Sequence, residues 1–503
     1  MTIDDIFLKF DTGGPSDYYS FETFIFNLLK FHIEQQGKKL TLIENPIRNS
    51  DIYAEEGFDS FIGETLIDIK YNLFNIPPKI FIKQHTNKII RLEKQLTFSN
   101  FLIISLRTVP DTAKSRYIEE LLSINPELKV TIWGPKEIVR LVNKHKTKSV
   151  EIANNLFSLR LENVVTKEAG DWEKERDEKI DLLKESYERS QFSMFLGAGV
   201  SSSAGMPDWN TLLNSLFVSY LTQELNQQTN ISDEDIKQIV ERLNTIDEPS
   251  ALMAARYLRK GLSKQTSEIK EFTKAITENL YKLRDTTKKL DSDLITAISN
   301  LCMPRRTGAR VKTVITYNFD DLLERQLAEK SIQHHSIYTE NEAFDPDELP
   351  IYHVHGFLPQ NSVKYEGLEK STLVFSEEGY HQIYTDAYHW SNLVQLANLR
   401  ENNCLMIGLS MTDPNLRRLL DISARNIDRP RHYAFMKRLS IDNFAFSNNN
   451  NAKIQHVKNI SGAEEFLNRH HKLNEEIMKE LGVSIIWYAS YDEIPEILNK
   501  INS

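Results

Sequence analysis

Two sets of residues in this chain have types and spacings that can do chemistry. The first is an amide and an imidazole, in Thr316-Tyr317-Asn318-Phe319-Asp320 and His353-Val354-His355-Gly356. The Asn318 side chain can donate to and accept from a sugar hydroxyl or a water. His355, with an ordinary pKa near ~6.5, can serve as a base towards either at cellular pH. The second set is carboxylate and lysine: Asp59 in Gly57-Phe58-Asp59, then Asp68 and Lys70 in Thr65-Leu66-Ile67-Asp68-Ile69-Lys70, with Glu22 upstream. Two carboxylates can hold Mg²⁺ while a lysine orients or activates the attacking water.

Each set needs elements to position it. Asn318 follows the β-rich run Val314-Ile315, and His355 follows Tyr352-His353. Two further groups share that habit: Gly197-Ala198-Gly199 after the apolar run Phe192 to Leu196, and Gly408-Leu409-Ser410 after Leu405-Met406-Ile407. A glycine turn between strand and helix lets backbone N–H groups approach a pyrophosphate, since no Cβ intervenes. Taken alone it is equally an ordinary tight turn. In a doubly wound sheet, however, strand C-termini open on one crevice, so four such groups can converge on one ligand. Gly205 and Pro207 precede a helix expected to start near Trp209. Asp320 reads either as support for the asparagine turn, with Thr316, or as an N-cap of the helix that follows. His353, two residues from His355 on one strand face, reads as a packed strand histidine or as its partner.

The ordered set of four motifs resembles the sirtuin family of NAD-consuming proteins over roughly Asp181 to Ser503. It looks most like the bacterial sirtuin-like NAD hydrolases of antiphage defence. The resemblance implies NAD⁺ as substrate, with Asn318 and His355 as the catalytic pair. It places Gly197, Ala198, Gly199 and Ser201 on the phosphates, and Gly408 and Ser410 near the adenosine half. The leaving nicotinamide is already a pyridinium, so the work is to stabilise an oxocarbenium-like sugar and to position a nucleophile. Three departures favour water over an acetyl-lysine as acceptor. No cysteine lies between His355 and Cys404, so the four-cysteine zinc module of protein-deacylating sirtuins cannot form and no zinc is expected. Asp208-Trp209-Asn210 stands where Asp-Phe-Arg is usual, and Tyr317 stands where deacylases have glutamine.

The N-terminal acids resemble the PD-(D/E)xK nucleases, and the order of segments around them is similar to the Mrr-like restriction endonuclease domain. By position this implies Asp59 and Asp68 as Mg²⁺ ligands, Glu22 as an auxiliary acid and Lys70 as the catalytic lysine. Asp59 follows Gly-Phe rather than a proline, a looser form of the pattern. The plain alternative is a strand with a surface Asp–Lys pair. Such domains also serve as DNA-docking or assembly modules.

A chain of 503 residues is too long for one ordinary core. The expected fold class is α/β. A restriction-endonuclease-like domain over 1–165 is followed by a charged connecting helix over 166–190. A Rossmann-like parallel-sheet, sirtuin-like domain then covers 191–503, with a helical insertion at 223–300. Within the first domain the pattern predicts a helix over Phe21 to Ile33 and strands at Thr65 to Tyr71, Lys79 to Lys83, Asn100 to Leu106 and Lys129 to Trp133. Helices are expected at Asp111 to Ser123 and Lys136 to Asn143. Ser250 is a plausible N-cap within the insertion, and Ser447 to Asn451 reads as a loop. A net charge of −10 excludes the whole molecule as an electrostatic nucleic-acid binder, though not a local basic face. The two cysteines, Cys302 and Cys404, suit a reducing cytoplasm, and no apolar run approaches the ~20 residues of a membrane span. Unrestrained NAD⁺ hydrolysis would kill its host, so control is expected through a homo-oligomer or a partner. The resemblance suggests a HerA-type ATPase as one partner, since such effectors are often paired with one, and the chain has no phosphate-loop motif of its own for ATP-driven work. DNA is a possible ligand of the first domain. The rival readings are a nuclease whose sirtuin-like half senses NAD or ADP-ribose, and a nucleotide-gated scaffold.

Overall fold

The computed structural model describes residues 3–8, 10, 15–43, 51–70, 85–86, 89, 97–123, 125–166, 171–208, 211–216, 232, 235, 238, 242, 268–306, 308–340, 342–371, 373–374, 383, 385–386, 388–425, 427, 430–449 and 452–503. These divide into two compact units. Unit 1 holds Met1–Glu178, Asp421–Pro430 and Leu439–Val483, and unit 2 holds Lys179–Leu420, Arg431–Arg438 and Ser484–Ser503. The grouping is discontinuous, whereas boundaries drawn along the chain placed everything after 191 in one domain.

Unit 1 contains β1 (Leu40–Ile43), β2 (Asp51–Ala54), the small hairpin β3 (Gly57–Phe58) and β4 (Phe61–Ile62), then β5 (Thr65–Lys70), β6 (Asn100–Ser105) and β7 (Lys129–Trp133). The main sheet has the order β1-β2-β5-β6-β7. It is antiparallel through β1, β2 and β5 and parallel from β5 to β7. Alternation along β5 divides its side chains between two cores, as a period of two requires. Ile67 and Ile69 join Leu102 and Ile104 beneath the helix Pro15–Glu34. Leu66 joins Phe101, Ile103 and Ile132 with Tyr117 and Leu121 of the helix Asp111–Leu122. The helix Pro135–Lys144 opens on Gly134-Pro135, with Glu137 Oε2 accepting the Gly134 N–H at 2.8 Å. The strand expected over Lys79 to Lys83 lies outside the described residues. Unit 1 also holds the hairpin β14 (Phe446–Asn449) and β15 (Ala452–Gln455), formed where a loop was expected around Ser447. The helix Ile460–Glu480 follows it, and Arg160 pairs with Glu476 at 3.5 Å and with Glu480 on its surface.

The charged helix expected over 166–190 is Trp172–Glu188, and its apolar edge, Ile180, Leu183 and Tyr187, is buried. Unit 2 is built on β8 (Phe192–Leu196), β9 (Val311–Thr316), β10 (His334–Ile337), β11 (Leu349–His353), β12 (Asn403–Ile407), β13 (His432–Lys437) and β16 (Val483–Tyr488). These form a seven-stranded sheet in the order β10-β11-β9-β8-β12-β13-β16, parallel from β10 through β13. Every residue of β8 is buried, as expected for a central strand covered on both faces. The chain leaves β8 for β9 on one side and later returns to β12 on the other, so the switch point is at β8. Much of the span 223–300, with its helical insertion and the Ser250 cap, lies outside the described residues. Its described end is helical, over Glu268–Lys282 and Asp293–Leu301. The second of these is core rather than appendage, with Ile295, Ile298 and Leu301 buried among the residues of the sheet.

Candidate active site

The four motif-bearing strands end in a single row. His353 of β11 is in register with Thr316 of β9, Thr316 with Leu196 of β8, and Leu196 with Ile407 of β12. The ladder runs one residue further: the Val354, Tyr317 and Gly197 N–H groups donate to the carbonyls of Thr316, Leu196 and Ile407 at 3.1, 2.9 and 2.9 Å. With strands ~4.8 Å apart, the loops leaving this row start along a line of about 14 Å, the scale of a dinucleotide.

The glycine turn differs from expectation. A short helix, Ala198–Ser203, begins at the turn itself with Gly197 as its N-cap residue. The helix anticipated near Trp209 is described only over 211–216. The glycines are required by one another. A Cβ on Gly199 would stand 2.7 Å from Gly408 Cα, and one on Gly197 2.5 Å from Gly408 O. Gly408 itself has φ +69. The Gly199 N–H donates to Gly408 O at 3.0 Å, so part of the backbone expected to cradle phosphate is engaged in holding two loops together. Beyond the helix, the Lys288 ammonium and Arg284 guanidinium donate to the carbonyls of Ser202 and Ala204 at 3.1 and 2.9 Å.

Asn318 is held from two sides. Its N–H donates to Thr316 Oγ1 at 3.1 Å, and its Nδ2 donates to Gly197 O at 3.0 Å. The side-chain carbonyl is the half of the amide that this second bond leaves for another partner. A cavity of about 190 Å³ is lined by Ala198, Ser201, Asn318, Asp320 and His355, with apolar walls from Met206, Leu212, Leu280 and Val374. Asn318 and His355 therefore face one opening together with the glycine-turn helix. The His355 ring stands edge-on to Tyr317 at 4.7 Å. Tyr317 is in turn fixed by its hydroxyl on Gln395. Burial lowers the His355 pKa to about 4, an effect Asp413 opposes, so the imidazole is neutral at cellular pH.

The other residues singled out from the sequence divide between this cavity and its supports. Asp320 lines the cavity and accepts the Leu322 N–H at 3.2 Å, but the N-cap residue of the helix Leu322–Glu329 is Asp321. Burial raises its carboxyl to about 6, against hydrogen bonds from Ser201 and Leu322. Ser201 is thus a donor to Asp320. Thr316 supports the asparagine turn. Ser410 is exposed and shares a 2.6 Å bond with Thr412, and neither it nor Gly408 lines the cavity. Asp413 caps its helix, accepting the Leu416 N–H at 2.7 Å. Sequence reasoning missed Leu280, which comes from the region read as an insertion, and Glu324, which sits 2.6 Å from His353 beneath the asparagine. The spacing of Glu324 from Asp320, one helical turn, was a signal that pattern-reading had no reason to weigh.

The N-terminal acids are placed differently. Asp68 and Lys70 are buried, and Asp68 Oδ2 lies 2.8 Å from Lys70 Nζ and 2.7 Å from His85 Nε2. The surface-pair alternative is therefore excluded. Asp59 sits at the β3–β4 turn with φ 47, and its carboxylate meets His32 Nε2 at 2.8 Å and Gln36 Nε2 at 3.1 Å. His32 passes the chain on to His145 at 2.8 Å. Glu22 lies on the helix Pro15–Glu34. Among the described residues no three His, Cys, Asp or Glu side chains group as a metal site. With Asp68 and Asp59 committed to cationic and imidazole partners, the residues as placed do not fit Mg²⁺. No described helix is long and apolar enough to cross a membrane. Cys302 and Cys404 are both buried free thiols.

Residues 312–460 match the SIR2-like domain family. The chain is also similar to the NAD(+) hydrolase ThsA of Enterococcus faecium, at 27% identity over 197 residues. That alignment covers 38% of this chain and 37% of the relative's own length. The glycine turn at 197–199 lies before the matched domain, yet it supplies the carbonyl that anchors Asn318. Asn318 and His355 both lie inside the stretch, residues 312–460, that matches the SIR2-like domain family.

Proposed function

We propose that unit 2 hydrolyses NAD⁺ to nicotinamide and ADP-ribose. The observation that supports this most is the cavity that Asn318 and His355 share with Ala198 and Ser201 at the sheet's switch point. In this reading the C1′–N bond breaks and its electron pair returns to the nicotinamide ring. Asn318 Oδ1 orients the ribose or the water, and water attacks C1′ as its proton passes to neutral His355. A base with a pKa of about 4 is weak. It suffices here because an oxocarbenium-like carbon needs little help from its nucleophile. The matched NAD(+) hydrolase agrees in reaction class.

Purified protein incubated with NAD⁺, alone and with candidate partners, tests this directly, with nicotinamide followed by chromatography. Wild type should release it, and Asn318→Ala and His355→Ala should not, while all three retain the same melting behaviour. Release undiminished in Asn318→Ala would refute the assignment. The defence role is proposed on the resemblance. Cells expressing the wild type should lose NAD⁺ on phage challenge, and cells expressing Asn318→Ala should not. A homo-oligomer and a HerA-type ATPase are the proposed partners, tested by sizing the chain alone and mixed with that ATPase. No cleavage step is assigned to unit 1. Its engagement of DNA is tested by gel shift of the full chain.

A further inference from the structure

Directly beneath the asparagine turn lie a buried acid and a buried imidazole that the proposed hydrolysis does not use. Glu324, on the helix Leu322–Glu329, is 3% exposed, and His353, the last residue of β11, is 1% exposed. His353 Nε2 is 2.6 Å from Glu324 Oε1, and Nδ1 is 3.2 Å from the backbone carbonyl oxygen of Asn318. Both ring nitrogens thus face acceptors, and a neutral imidazole has one N–H, enough for one of them. Burial alone would push the Glu324 carboxyl up, yet the charge and hydrogen bond of His353 bring it below the ordinary value. Ser336 Oγ lies 3.4 Å from the same Glu324 oxygen and His334 adds positive bias, while Asp320, Asp321 and Tyr365 are the acidic neighbours. The Phe357 ring covers the imidazole at 4.0 Å.

We propose that His353, held by Glu324, is the positioning residue of the asparagine turn. Its ring links the Asn318 carbonyl to a buried carboxylate. With the bonds to Thr316 and Gly197 this fixes Asn318 at its N–H, its C=O and its side chain, and so sets the direction of the amide into the cavity. Neither His353 nor Glu324 lines that cavity. The proposal rests on the reading of Asn318 as a group that acts on NAD⁺.

Glu324→Gln keeps the shape and removes the charge. Near pH 7.5 it should lower kcat for nicotinamide release by about 10–100-fold with KM little changed, since misdirection of one catalytic group costs on that order. His353→Gln should lower kcat at least as far. Wild-type kcat in either variant, or a loss that falls on KM instead of kcat, overturns the proposal. Spectra of ¹⁵N-histidine-labelled full chain read the ring itself, with His353 assigned by its loss in His353→Gln. Its signals should move in Glu324→Gln, and unmoved signals overturn the proposal. That readout does not depend on turnover: a wild type that releases no nicotinamide would instead overturn the reading of the cavity.

Discussion

Gly408→Ala is the substitution that most directly tests how the fold holds the site. At φ +69 an alanine is in the left-handed region, which costs about 1–2 kcal/mol. Its Cβ would also stand 2.7 Å from Val200 N and 3.0 Å from Gly199 Cα, backbone atoms that cannot rotate aside. Forcing such a contact apart adds about 1–3 kcal/mol. Gly367 supplies the control: its φ is also +69, but the nearest atom to an added Cβ is Lys370 Cδ at 3.9 Å, so only the backbone term applies. Gly408→Ala should therefore destabilise by about 2–5 kcal/mol and Gly367→Ala by about 1–2. The displaced loop carries the carbonyl that receives the Gly199 N–H, and Gly197 in turn anchors Asn318, so turnover should fall by tenfold or more in the first variant, where roughly 1 Å of misplacement can cost ~100-fold. Denaturation midpoints and nicotinamide release, measured on both variants, decide the matter. Equal shifts in the two, or a destabilised Gly408→Ala that turns over normally, would refute the reasoning.

Three further outcomes follow from buried charge. If neutral His355 is the base, its acid limb should lie near pH 4, below the step near 6 where the buried Asp320 carboxyl takes its proton. Asp413→Asn, which can still cap its helix but no longer raises that pKa, should move this acid limb lower. A limb at the ordinary histidine value that persists in Asp320→Asn would contradict the burial of the ring. His432, buried behind the Cys404 N–H that donates to its Nδ1 at 3.3 Å, is lowered to about 3 by burial and then by Arg431. As pH falls, the unfolded chain binds that proton first, so stability is full above ~6.5 and declines towards pH 3 by on the order of 4 kcal/mol. His432→Asn keeps an acceptor for Cys404 and should flatten this acid decline; an unchanged pH dependence would show the ring is not responsible. In unit 1, Asp68→Asn should cost about 3 kcal/mol or more by weakening the compensation of buried Lys70, and adding Lys70→Met should restore most of it. A denaturation midpoint that does not move in Asp68→Asn would remove the buried trio as a stabilising feature.

The four motif-bearing strands, their order along the chain and the groups behind them were legible because each depends on local pattern. Apolar runs end at a glycine, an asparagine or a histidine; β8 lies on its apolar run, and the helix expected over Phe21 to Ile33 is present but begins at Pro15. What pattern could not carry is register. The row His353, Thr316, Leu196 and Ile407 exists only once the strands pair, and that row aims Asn318 and His355 into one cavity. The same limit explains Glu324, which is unremarkable on its helix until β11 brings His353 to it. It also explains Asp68, whose strand spacing suits a metal ligand until His85 arrives from 17 residues away. The hairpin formed around Ser447 and the grouping of Leu439–Val483 with unit 1 are further cases. Local sequence selects which residues can donate, accept or turn. Which of them meet is decided by long-range packing, because hydrogen bonds and charges act over a few ångströms and only the assembled sheet brings distant positions that close.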